Sequence, residues 1–222
     1  MMWKRREVSV AVACLALGST GQLVQYLVTP LGSEDASAAS NIARAVAHPT
    51  AMQWAAWLDL TLLFFLPALV VVAYLAGART TRLGWVASVL AIATTVPGIA
   101  YVLAPDVMYV GAIHGEVTAR ALTAYDNSGV VTAATIIFLI GHVVGLILLG
   151  VALWRAGSVP RWAAVCLAVS PILEIGGGAA DVRPIGVAAY LLLMAAFGAC
   201  AAAIVRRASS TAPMPEAALA RS

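Results

Sequence analysis

Residues 55–77 read AAWLDLTLLFFLPALVVVAYLAG, an almost unbroken apolar run interrupted by one carboxylate, Asp59, and one proline, Pro67. A run of this length matches the roughly 20 residues that a helix needs to cross the hydrocarbon core of a bilayer. It is not alone. Similar stretches recur along the chain, and the sequence predicts six membrane spans, at about 8–28, 52–76, 83–103, 129–154, 162–175 and 184–205. The fold class that follows is all-α, a polytopic transmembrane helical bundle occupying one domain over 1–207. The alternation that a transmembrane β-barrel would need is missing.

Composition agrees. The 222 residues are 62% hydrophobic and 10% charged, with a mean hydropathy of +0.94. A water-facing surface normally carries about 25% charged residues. The net charge of +3 does not point to nucleic acid, because no basic run interleaved with aromatics stands in a polar region.

The positions of the basic residues orient the bundle. Lys4, Arg5, Arg6, Arg79, Arg82, Arg155, Arg161, Arg206, Arg207 and Arg221 fall on one side of a six-span arrangement, and only Arg44, Arg120 and Arg183 on the other. By the positive-inside rule, both termini are cytoplasmic and the expected location is the inner (plasma) membrane, as a multi-pass protein. The opening KRRE followed by VSVAVACLAL has the outline of a signal peptide. Apolar character resumes in LVQYLV, so the segment is read as an uncleaved first span. The end of the chain, 208–222, is rich in Ala, Ser and Pro and is expected to be a disordered cytoplasmic tail.

The two kinds of connection differ. Those predicted to be cytoplasmic are tight, as in GARTTR and RAGSVPR. The external ones, 30–50 and 105–128, are long and polar, and NIARAVAHP and GEVTARALTAY within them are each expected to form a short surface helix. Residues 74–91 faintly resemble 153–168, each a helix end, a basic turn and a tryptophan opening the next helix.

Ionisable groups at membrane depth cost about 2.5–3.5 kcal/mol on insertion scales and so face protein or water. Asp59, His142 and Glu174 are such groups. Asp59 lies about eight residues into its span, roughly 12 Å below the interface at 1.5 Å per residue. Ala55 and Ala56 precede it by one turn, and small residues let a neighbouring helix come close. Pro67 is expected to kink this span, since it cannot donate its backbone bond. Glu174 sits in SPILEIGGG, read as an irregular stretch at the end of a short fifth span, with Asp181 just beyond. Gln22 and Gln25 share a face of the first span, three residues apart. TTVPG at 94–98 adds polar and helix-breaking residues to the third. Asp59, Glu174, Gln22, Gln25 and the stretch 94–98 fall in the outer half of the bundle, and His142 lies near the midplane. Two readings stay open: Asp59 lines an outward-opening polar cleft, or it and the glutamines tie helices together. His142 lies beside Gly141 and Gly145, a GxxxG packing pattern. A lone histidine there is more often a packing residue than a ligand, and haem ligation would want a second intramembrane histidine. No metal site and no cofactor is predicted. Cys14, Cys166 and Cys200 read as buried small hydrophobes.

The turn LWRAGSVPRWAA at 153–164 resembles that of small bacterial six-span integral membrane proteins. The resemblance implies a fold and a location, and no chemistry. Three functions compete. The first is a binding protein for a membrane lipid or hydrophobic small molecule. The second is a membrane-embedded enzyme similar to integral membrane terpene cyclases, in which Asp59, Glu174 or Asp181 would be the catalytic acid. Trp54, Trp57, Tyr101 and Tyr26 would then steady cationic intermediates. The chain departs from the fungal members of that group in its six spans and in lacking a Trp-Glu pair in the second. The third is a small proton- or cation-coupled transporter, which six spans would support as a homodimer. No Walker, HExxH, GxSxG or dinucleotide-binding motif is present.

Overall fold

The computed structural model describes residues 4–31, 37–77, 79–180 and 182–210, with the side chains at 81 and 100–102 outside that description. The described residues are all-helical. They run as α1 (Arg5–Val28), α2 (Ala38–Ala47), α3 (Pro49–Asp59), α4 (Leu62–Gly77), α5 (Thr81–Ile113), α6 (Ala119–Asp126), α7 (Gly129–Ala156), α8 (Arg161–Ala179) and α9 (Arg183–Ser210). Six helical stretches are long and apolar enough to cross a membrane, with α3 and α4 together forming one, Pro49–Gly77.

Local chemistry sets the ends. The Lys4 backbone N–H donates to Glu7 Oε2 at 2.9 Å, satisfying a free donor at the start of α1. Ser37 and Thr118 cap α2 and α6 by accepting from the amides of Ser40 and Ala121. The motif at 153–164 has a physical explanation. Gly157 ends α7 in the left-handed region at φ 62°, and Pro160 stands immediately before α8. Arg161 lies over the Trp154 ring, 5.5 Å from its centroid. Ser158 donates to the Leu75 carbonyl at 2.6 Å and accepts from Arg207 at 3.1 Å, which fastens this turn to the ends of α4 and α9. This side of the bundle is its turn face. On the opposite, loop face, Arg183 at the start of α9 donates to the carbonyls of Tyr26 and Leu27 at the end of α1.

The spans close into a ring, with α1 against α4, α4 against α5, α5 against α7, α7 against α8, α8 against α9 and α9 against α1. Helix α4 also meets α7 and α9, so it touches helices of four other spans. Small residues set the closest approaches. A Cβ at Gly145 would come within 2.8 Å of the Ala91 Cα, and one at Gly150 within 2.7 Å of the Ala164 carbonyl oxygen. The GxxxG pattern therefore faces α5, with Gly141 against Thr94. The core on the turn-face side joins Leu15, Leu69, Leu75, Leu149, Leu167 and Phe197. A second, smaller cluster on the loop face joins Ala45, Met52, Ala55, Tyr109 and Leu122, so α2 and α6 pack over the ends of α3 and α5.

Four sequence expectations are revised. The second span is interrupted at Leu60 and Thr61, where amides bond three residues back, while Pro67 lies inside α4. Thr61 fills the space that a Cβ on Gly21 would need, so the interruption seats against α1. The third span does not end at 103. It continues through Pro97 and Pro105 to Ile113, and part of the stretch read as an external loop is helix. The fifth span runs as helix through Gly176, Gly177 and Gly178 to Ala179, where an irregular stretch was expected. Helix α9 reaches Ser210, and 211–222 lie outside the described residues. The two short surface helices occur as α2 and α6.

Candidate functional site

Every span contributes to one cavity of about 230 Å³. Helix α1 brings Gln22 and Gln25, α3 and α4 bring Asp59, Leu62 and Phe65, and α5 brings Thr95, Gly98 and Ile99. Phe138, Leu139 and His142 come from α7, Glu174 and Ile175 from α8, and Tyr190 and Leu193 from α9.

The polar groups fall into two sets. In the first, Gln25 Nε2 donates to Asp59 Oδ2 at 3.1 Å, and Gln22 Nε2 donates to Thr61 Oγ1 at 3.3 Å. Asp59 occupies the last turn of α3, and the interruption after it lets Thr61 meet the same face of α1. In the second set, Glu174 is gripped from two sides. His142 Nε2 stands 3.2 Å from Glu174 Oε2, and the Tyr190 hydroxyl donates to Oε1 at 3.0 Å. The His142 ring is flanked by Phe138, with centroids 5.1 Å apart, and Phe65, at 6.2 Å. Gly98 supplies the room in which the Phe138 ring sits. Tyr190 packs at 5.1 Å against Tyr26.

Asp106 is the residue that the sequence reading missed. It lies on α5, is 6% exposed, and its carboxyl is within hydrogen-bond reach of that of Asp59, itself 1% exposed. Asp59 Oδ1 and Asp106 Oδ2 are buried and receive no donor. The pair sits beneath the loop-face cluster, close to Tyr109. One signal for Asp106 was present: apolar sequence resumes after it as VMYVGAI, which fits a helix that continues. Tyr190 and Thr61 gave no comparable signal, since their partners lie 16 and 39 positions away.

The site residues expected from sequence divide clearly. Gln22, Gln25, Asp59, His142 and Glu174 share the cavity. Trp54 and Trp57 do not. They are 61% and 69% exposed and border a separate surface recess with Gln53. One face of α3 turns Asp59 and Ala55 inward, so residues on its other face point out. Asp181 and the side chain of Tyr101 lie outside the described residues. Among the described residues, no three His, Cys, Asp or Glu gather in a way that would hold a metal ion.

Compared with known protein families, curated proteins and solved structures, the chain matches none of them. The site therefore rests on its own geometry.

Proposed function

We propose that this membrane protein binds a small molecule, with an apolar body and a polar group, in the cavity between its spans. One observation carries the reading. Polar side chains from separate spans converge on a single space whose remaining walls are Leu62, Phe65, Ile99, Phe138, Leu139, Ile175 and Leu193. Largely apolar walls with a few converging polar groups are the general anatomy of a ligand site. A set of helix ties alone would need no cavity beside it.

The proposed location is the plasma membrane, with the loop face outward, on the strength of the basic residues at the turn face. The cavity then belongs to the outer half. The cyclase-like and transporter readings gain no specific support. Trp54 and Trp57, offered as cation-stabilising rings, stand outside the cavity. The interruption of the second span is seated against α1, which gives no sign of a moving element.

Extraction of bound molecules from purified protein tests the proposal. Wild type should carry a species, detected by mass spectrometry, that is depleted when the cavity is filled by Ile99→Trp. Equal recovery from wild type and a folded filled variant would overturn it.

A further inference from the structure

The contact between Asp59 and Asp106 leaves a charge to account for. Two bare carboxylates in contact repel each other strongly where water is scarce, so a proton or another cation must lie between or beside them. No lysine or arginine lines the cavity among the described residues. Gln25 supplies one neutral donor to Asp59, and the two oxygens Asp59 Oδ1 and Asp106 Oδ2 receive none. Both residues are more than nine-tenths buried, and Asp59 opens onto the cavity. Across the cavity, both oxygens of Glu174 have partners, His142 Nε2 and the Tyr190 hydroxyl, whereas Asp59 Oδ1 has none. The rings of Phe65, Phe138 and Tyr190 offer faces of the kind that attract cations.

We infer that Asp59, backed by Asp106, makes the cavity a site for an organic monocation, a protonated amine on an apolar body, which approaches Asp59 from the cavity and releases the proton held by the pair. This rests on the binding reading above and names the chemical class of the ligand. The exchange balances: an ammonium enters and one proton leaves the pair. Acidification therefore weakens binding, because it restores the proton that the cation must displace. The titratable groups facing the pair are Tyr190 on α9 and Tyr109 on α5, with Asp126 of α6 near Tyr109, and His142 and Glu174 on the far wall.

Three probes of nearly one shape test this on the full-length protein in neutral detergent: benzylammonium, benzyl alcohol and benzoate, each titrated calorimetrically. Benzylammonium should bind at least about ten-fold tighter than benzyl alcohol, since hydrogen bonds with an ionised partner are roughly twice as strong as neutral ones, and benzoate should bind worst. The preference should disappear in Asp59→Asn and in Asp106→Asn, with folding checked by circular dichroism; two variants guard against one failing to fold. Binding should weaken from mildly alkaline to mildly acidic buffer, a range in which the probe keeps its proton, as amines with a pKa near about 10 do. Equal binding of all three probes, a preference for benzoate, or a preference that survives in a folded Asn variant would overturn the inference. If all three bind equally and Ile99→Trp blocks them, the binding reading stands and the cation inference falls. If no probe binds, the cation inference falls, and the extraction experiment decides the other. A free amine and an aminolipid share this chemistry. Nanodiscs of phosphatidylcholine with and without phosphatidylethanolamine separate them: competition by the aminolipid assigns the site to a lipid amine, and its absence to a free one.

Discussion

His142 Nε2 and Glu174 Oε2 stand 3.2 Å apart, joining α7 to α8 at the wall of the cavity. The His142 side chain is 12% exposed and that of Glu174 is 32% exposed, so the pair is screened more than a fully buried one. Removing His142 leaves Glu174 with the Tyr190 hydroxyl alone. His142→Leu should cost about 1 kcal/mol of stability, the usual net worth of one hydrogen bond. The double variant with Glu174→Leu should recover part of that loss, because the carboxylate that lost its partner is gone. Thermal unfolding of the purified singles and double measures it; strictly additive losses would mean that the pair is not coupled.

Gly145 and Gly198 should respond oppositely to a side chain. The 2.8 Å approach of a Gly145 Cβ to the Ala91 Cα leaves no room on the α5 side. Gly145→Leu forces the helices apart and should cost about 1–3 kcal/mol, as overpacking does. A Cβ at Gly198 in α9 meets nothing within 4 Å. Gly198→Ala should stabilise by about 0.5–1 kcal/mol through the lower backbone entropy of alanine. Melting curves that shift the same way for both would contradict this packing.

Asp59 should distinguish amide from hydrocarbon. Asp59→Asn keeps an oxygen for Gln25 Nε2, now 3.1 Å from Oδ2, and should fold with little change in melting. Asp59→Leu strands the Gln25 amide and should lose about 1–3 kcal/mol. Both should abolish retention of the bound species. An Asn variant that retains it as wild type does would remove Asp59 from the site.

Topology can be read by cysteine labelling from outside intact cells, in a background without native cysteines. Single cysteines at 40, 115 and 180 should label, and those at 80 and 158 should stay protected. Labelling at 158 without labelling at 115 would invert the orientation inferred from the basic residues.

The sequence by itself determined the six apolar helices long enough to cross a membrane and the face that carries the basic turns. Both follow from local quantities, the length of an apolar run and the charges beside it. It also singled out Asp59, Glu174, Gln22, Gln25 and His142, because a polar group at membrane depth stands out against hydrocarbon-compatible neighbours. Tertiary structure decided what those groups meet. Pro105 read as the end of a span, yet α5 passes through it and carries Asp106 down to Asp59. A proline removes one backbone bond, and packing against neighbouring helices compensates for that loss inside a bundle. Trp54 and Trp57 lie within five residues of Asp59 in sequence and still face away from it, since helical periodicity sends them to the outer side of α3. The grip of His142 and Tyr190 on Glu174 spans 32 and 16 positions, and only the closure of the ring by α8 and α9 brings the three together.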